Sequence, residues 1–559
     1  MKKTAISILL ALCTISLFGQ TAYNAQMLSE NSYEGTARSV AMGNAFTALG
    51  GDLGAVTINP AGSAMASYSQ VTLSPGITIS TSTTQGISPY ENGELPYFQR
   101  KLRSNLTKGN IPNLGFSLNF DTGRSYGLVS WSMGFMANKT GDYNQDVYAN
   151  GLNSTTSFIG RMAYEASYYG FSAEALGASD AYDKYPWKYV TGYQSAMFDP
   201  FTVSKDPFKE IFVGATEKVY DDGTCFVAGE LNQSYGRRTS GSKNEYIVNF
   251  GLNFSDFIYM GVNLGINTMT YSYEEYFKEQ AVNSENFHIT LKDDQGNTIS
   301  SSYFNRMKYR NAYSLSGTGY FAKFGIIANP AKGLRVGATF QTPTRMEIEE
   351  TWEEEGETVY TGPDGKTWSA LSPYGENGWT FSSPLRLSAG VAYTFGQIGT
   401  ISADYEMANY GRLRYLSSYY TDRNTLEDIN EEMYNCYGVS HNVRAGIEIK
   451  PTPALAIRAG YDMKTSAQKA VMDNNGGYIR LTGRDLTHKI SFGAGFSSKG
   501  SFFADAALTR TFVPCEYFMP YDDYVYIPGT DIVDSNYYAP EILIKSALWK
   551  VVLTLGFRF

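Results

Sequence analysis

The sequence predicts an all-β protein: a 14-stranded antiparallel transmembrane β-barrel with an N-terminal hatch, or plug, inside its lumen. Three observations lead there. Segments of ten or more residues alternate apolar and polar side chains, the period of a half-buried strand. The connections between them alternate between very short and very long, as in a barrel with tight turns on one side of a membrane and loops on the other. The chain ends in an amphipathic segment whose odd positions run Ala547, Trp549, Val551, Leu553, Leu555, Phe557 and Phe559.

Residues 1–25 have the layout of a secretory signal peptide. Lys2 and Lys3 are basic, Ala5 to Phe18 is apolar, and Gly19, Ala22 and Ala25 are small. Cys13 lies inside the apolar run after Leu12, where a lipid-attachment site requires a small residue, so no lipid anchor is read. Residues 26–68 do not alternate. They are rich in small residues and poor in charge, and such a backbone can pack closely against other groups, which suits a plug.

Residues 69–559 form the barrel. Strands are expected near 70–83, 111–121, 125–138, 244–254, 257–272, 309–328, 333–348, 381–395, 398–412, 437–450, 454–466, 487–497, 501–512 and 542–559. In the seventh, Leu334, Val336, Ala338 and Phe340 share one face and Arg335, Gly337, Thr339 and Gln341 the other. These segments exceed the five or six residues of an average soluble strand and fit a tilted membrane strand. A weaker alternation at 224–237 is left outside the wall, as a hairpin or strand extension, because single-chain barrels of this type have even strand numbers. The longest outer loop is 140–243. Within it Phe158, Ile159, Met162 and Tyr169 have roughly helical spacing, which predicts an amphipathic helix. Its apolar face either packs on the barrel rim or collects an apolar ligand. Glu349, Glu350, Glu353, Glu354 and Glu355 read as a solvated acidic run in another loop.

Composition excludes other classes. Of 559 residues 43% are hydrophobic, 15% aromatic and only 18% charged, with a net charge of −9. An acidic balance without Lys/Arg clusters argues against nucleic-acid binding, and abundant aromatics argue against disorder. After the first 20 or so residues no apolar run approaches the ~18 residues of a spanning helix. No nucleotide loop, zinc-protease His pair or nucleophile elbow is present. His288, His441 and His488 are isolated, and Cys225, Cys436 and Cys515 are far apart. The sequence therefore offers no catalytic residue, metal site or cofactor site, and one disulfide among those cysteines stays open.

The run from Arg38 through Ala48, containing Gly43-Asn44-Ala45, and the following Asn59-Pro60-Ala61-Gly62 resemble the hatch of the FadL/TodX family of outer-membrane transporters, in a Bacteroidetes-like form. The terminal Phe559 and Phe557 resemble the signal read by the barrel assembly machinery. The resemblance implies a monomer in the outer membrane of a Gram-negative bacterium, in contact with lipopolysaccharide, taking up hydrophobic small molecules or lipids such as long-chain fatty acids without energy coupling. It implies that Asn59, Pro60, Ala61, Gly43, Asn44 and Ala45 belong to the gate. It also implies a side opening at a kinked third strand, here 125–138, which contains Gly127 and Gly134 but no Pro. The alternative within the same resemblance is an accessory barrel of a type IX-like secretion system.

Overall fold

The computed structural model describes residues 22–87, 98, 100–202, 210–220, 223–292, 298–472, 478–498, 501–522 and 539–559. Most of the signal-peptide reading, residues 1–21, lies outside the described residues.

Fourteen strands form the wall. They are β1 (Gln70–Ile87), β2 (Leu102–Asp121), β3 (Leu128–Asp142), β4 (Leu231–Phe254), β5 (Ile258–Ala281) and β6 (Thr298–Ala331). Next come β7 (Leu334–Gln341, continued by Arg345–Thr361), β8 (Gly375–Ser382, continued by Arg386–Phe395), β9 (Gly399–Asn409) and β10 (Val439–Thr452). The circuit ends with β11 (Leu455–Thr465), β12 (Leu486–Ser497), β13 (Phe502–Phe512) and β14 (Glu541–Arg558). Each pairs antiparallel with the next, and β14 pairs with β1 from Gln70↔Arg558 to Ile87↔Glu541. The barrel is thus closed, every strand pairing with a neighbour on both sides over at least part of its length.

The alternation has the expected sense. Val336, Phe340, Leu387, Val391, Leu455 and Ile457 face outward and are exposed, while Gln341, Arg386, Ser388 and Arg458 face inward and are buried. Apolar positions meet lipid and polar ones fill the lumen, the reverse of a soluble sandwich.

Where strands end differs from the sequence reading. β4 and β5 have 24 residues each and β6 has 34, whereas β11 and β13 have 11. The wall therefore has a tall flank, β4–β7, and a low one. The tall strands continue past the membrane because their inner faces stay apolar. Leu231, Tyr235, Phe277, Phe304, Met307 and Tyr360 pack there against the long insertion between β3 and β4. The segment 224–237 is divided accordingly: Cys225–Val227 pairs in a small hairpin with Glu217–Val219, and Leu231 onward extends β4.

The acidic run is a correction. Glu349 to Glu355 lie in β7, not in a solvated loop. Glu350 and Glu354 point inward, are buried, and accept hydrogen bonds from Tyr313 Oη and Tyr309 Oη at 2.6 Å each. Glu353 and Glu355 point outward and share Arg310. Period two, not the charge run, sets the element.

Candidate functional site: a plugged lumen with a seam in its wall

Residues 22–66 enter the lumen as short pieces: α1 (Ala22–Ser29), α2 (Ala37–Ala41) and two 3-10 turns, Gly54–Thr57 and Pro60–Met65. Small side chains let the backbone reach the wall. Gly43 has φ +64°, and a Cβ there would lie 2.9 Å from Tyr461 N. The wall answers with glycines of its own: a Cβ on Gly460 would lie 2.1 Å from Gly43 N, and one on Gly446 2.4 Å from Met42 O. Three glycines converge where the plug touches β10 and β11.

Polar groups around the lumen bind the plug backbone. Thr47 N–H and Oγ1–H both donate to Asp404 Oδ2 at 2.8 Å. Lys323 Nζ donates to Thr57 O at 2.6 Å, Asn263 Nδ2 to Val56 O at 2.9 Å, and Arg335 to Leu49 O at 3.0 Å. Ala37 N donates to Thr554 Oγ1 at 2.7 Å. Arg38 pairs with Glu448 at 2.9 Å, and Arg458 bridges Glu448 and Asp505 at 2.7 and 2.6 Å. A short irregular segment without a sheet of its own must satisfy its buried amides somewhere, and here the barrel interior supplies the partners.

The predicted hatch residues come together within this interface. Asn59 caps the second 3-10 turn, accepting from Ala61 N at 3.0 Å, while its Nδ2 donates to Thr47 O at 2.6 Å and Ile326 O at 3.3 Å. Pro60 opens that turn, where its missing N–H costs nothing. It sits so close to β5 that a Cβ on Gly261 would lie 2.4 Å from its carbonyl carbon. Asn44 Nδ2 donates to Tyr33 O at 2.9 Å, and Ala45 is fully buried.

Outside the plug lies a packed apolar core. Met269, Leu315, Met346, Ile348, Trp379 and Phe381 of the wall meet Leu28 of α1 there, with Leu426 and Met433 of helix α4 (Arg423–Cys436). On the short-turn side the plug leaves a cavity of about 380 Å³ with a charged lining that includes Arg38, Arg335, Glu448, Arg458 and Asp505. The packed core is apolar and the cavity charged.

The wall beside the plug carries a seam. β2 and β3 pair only from Asp121↔Ser130 to Asn113↔Asn138. Above Asn113, β2 pairs with β1 alone, through a register shift between Ser74 and Gly76. Pro75 and Pro112 sit at that irregularity, where they can be tolerated because a proline cannot donate to a ladder. Behind the seam Leu53 and Val56 of the plug pack on Met136 of β3. Asn138 donates to Thr57 Oγ1 and accepts from Asn113 Nδ2. The sequence reading looked for the irregularity in the third strand through Gly127 and Gly134. The two prolines in neighbouring alternating segments were the signal for it.

The outer-loop residues lie in a cap built from the described residues between 143 and 230. Phe158, Ile159 and Met162 are on helix α3 (Phe158–Tyr168) and are buried in the cap core, and Tyr169 is 39% exposed at the helix end. The predicted amphipathic helix is there, with its apolar face turned to the tall flank. Glu165 on its other side bonds Lys188 at 2.7 Å and Arg161 at 2.8 Å. Burial alone would raise that carboxyl, but Lys188 and Arg161 outweigh it and hold it below the usual range. Cys225, Cys436 and Cys515 form no disulfide with one another. Burial, then Glu432, pushes Cys436 up to about 11.

No family model matches the sequence, and no curated protein matches it. Among solved structures a FadL homologue from Pseudomonas aeruginosa aligns over 94% of this chain and 99% of its own, with TM-score 0.50 and 10% identity. The fold is FadL-like. The toluene transporter TodX from P. putida aligns over 94% and 99% with TM-score 0.48 and 12% identity, and the CymD monoaromatic hydrocarbon channel over the same shares with 0.42 and 10%. At such identities the FadL likeness concerns the arrangement of wall and plug, not individual ligand contacts.

Proposed function

We propose that this chain is an outer-membrane channel for passive uptake of hydrophobic compounds, long-chain fatty acids among them. The observation that carries the reading is the β2–β3 seam, whose wall pairing stops at Asn113↔Asn138 while hatch residues Leu53 and Val56 pack behind it. A molecule soluble in lipid but stopped by the sugar layer gains a route if it passes between the outer loops and leaves sideways through the seam into the bilayer. Such a route needs no aqueous pore through the plug. The fold shared with the FadL homologue supports it, and names such as toluene transporter and monoaromatic hydrocarbon channel among the other neighbours are consistent with it. In this reading Asn59, Pro60 and the Gly43-Asn44-Ala45 run hold the gate, and Tyr169 belongs to the outer rim.

The test is a tether. In a background with Cys225, Cys436 and Cys515 replaced by Ser, Val56→Cys and Met136→Cys join the plug to the wall across an existing contact. Cells depending on this chain should take up labelled oleate or toluene, lose that uptake on oxidation, and regain it with dithiothreitol. Undiminished uptake in the tethered state would remove the gating role. Failure to carry either compound, together with loss of secreted cargo from a deletion strain, would favour the secretion accessory instead.

A further inference from the structure

Just outside the apolar band, the outer face of the wall carries two unlike belts. On the tall flank the register stacks outward-facing Asn244, Thr268 and Thr318 in one row and Ser242, Thr270 and Ser316 in the next. Of the outward cations on this flank, Arg310 is engaged by Glu274, Glu353 and Glu355 and Arg306 by Glu357, while Lys278 and Lys308 face each other eight residues above the Thr270 row and Arg345 lies opposite Tyr320. On the low flank the same heights hold cations of another kind. Arg510 of β13 lies over the rings of Phe512 and Trp549, at 4.5 and 4.8 Å. Thr83 is paired on one side with Arg103 and on the other with Lys545. Among the described residues none of these three cations has a carboxylate partner.

Two of the three histidines join them in one repeated arrangement. Tyr405 Oη lies 2.6 Å from His441 Nδ1, and Tyr461 Oη lies 2.7 Å from His488 Nδ1. Each Tyr–His pair bridges adjacent strands diagonally, with ring centroids 5.9 and 6.1 Å apart. An imidazole whose Nδ1 is bonded to a tyrosine hydroxyl keeps its Nε2 for another partner. Both tyrosines are outward-facing and 40% exposed, at the level where barrels place interfacial aromatics.

We propose that the low flank, from β9 through β14 to β2, binds the phosphate groups of lipids in the outer leaflet. The proposal rests on the reading that this chain spans the outer membrane. The apolar band immediately below fixes what lies against this surface: acyl chains there, and headgroups one or two rows higher. Arg103, Arg510 and Lys545 supply unpaired positive charge, and each imidazole supplies its Nε2. Between the Arg510 and Lys545 rows the belt rises by four residues, about 13 Å of strand. That matches a phosphorylated headgroup layer rather than a single ion. The tall flank presents hydroxyls and the one cation Arg345 in these rows, with Lys278 and Lys308 eight residues higher, so its phosphate preference is weaker.

The experiment uses the full-length protein folded in detergent. It is mixed with bisphosphorylated lipid A or with lipid A stripped of phosphate, and retained lipid is counted by native mass spectrometry. Wild type should retain the phosphorylated form and hold the stripped form weakly. The combination R103Q, R510Q, K545Q, H441F and H488F should lower retention on the order of tenfold or more, while R310Q on the tall flank should not. Heat-modifiable gel migration checks that each variant is a folded barrel, and R510Q alone, with a smaller drop, serves if the combination does not fold. Equal retention of both lipids, or no drop in the variant, overturns the proposal. Complete displacement by millimolar inorganic phosphate would assign the belt to the free anion and overturn the lipid assignment. Failure to insert into liposomes would overturn the membrane reading itself, which is a distinct result from insertion without phosphate preference.

Discussion

Asn59 is a single side chain asked to do three jobs: cap a turn, hold the Thr47 carbonyl, and touch β6 through Ile326 O. Asn59→Ala leaves those groups buried without their partner, a loss of about 1–3 kcal/mol for each unsatisfied group. The plug should loosen while the wall stays closed. Planar-bilayer recordings should show frequent openings absent from wild type; a silent variant would mean the plug does not depend on this residue. Gly460→Ala should act more strongly, because its methyl group would fall 2.1 Å from Gly43 N, a backbone atom that cannot rotate away. Here the sequence is only half legible. The Gly43 and Asn59 motifs stood out by resemblance. Their wall partners Gly446, Gly460, Gly261 and Gly325 read as ordinary lumen glycines, since close approach between segments hundreds of residues apart leaves no local pattern.

Among elements, α3 shows how the cap is joined to the tall flank. Glu279 of β5 accepts from Ser157 Oγ at 2.8 Å, Phe158 N at 2.8 Å, Ile159 N at 3.3 Å and Gln233 Nε2 at 2.7 Å. A carboxylate at a helix N-terminus satisfies free amides and meets the positive end of the dipole. Glu279→Leu should expose residues 143–230 to protease while the barrel still migrates as folded; equal resistance would show that the apolar contacts alone suffice. The Glu165 cluster adds a pH dependence. A carboxyl held low stabilises the fold above its unfolded value, near 4.5, and that contribution fades as pH falls through the folded value. Protease protection of the cap should therefore be level from pH 8 to about 5 and drop below about 4, and E165Q should lack that step. The fourteen strands were legible because period two survives wherever one face meets lipid. Their outer ends were not, because the cap replaces lipid or water on the inner face and leaves no break in the alternation. The β7 glutamates misled for a related reason: Glu350 and Glu354 are buried acceptors for tyrosines contributed by β6.

For the whole molecule, the plug and the lumen charges belong to one design. Asp404, Lys323, Arg335 and Glu448 are oriented by plug groups as much as by one another. Deleting residues 27–66 should leave a folded barrel, since β14 still closes on β1, but a water-filled one. Ion conductance should be large and steady, like that of a porin. A deletion variant that stayed electrically silent would show that the cap and α4 seal the lumen unaided.

For the outer-membrane channel proposed above, the unequal wall has a consequence for what can be reached from outside the cell. About 20 residues of β6 stand above Tyr320, roughly 50 Å of rise at a usual barrel tilt, whereas His488 lies two residues from the outer end of β12. An antibody or a phage tail approaching a cell coated in long sugars would meet the tall flank and its cap first. The low flank would stay beneath the coat, visible only to neighbouring molecules within the same leaflet. Surface variation driven by immune or viral pressure should then gather in residues 143–230 and the tips of β5 to β8. Sequencing escape mutants selected with a neutralising phage would locate it.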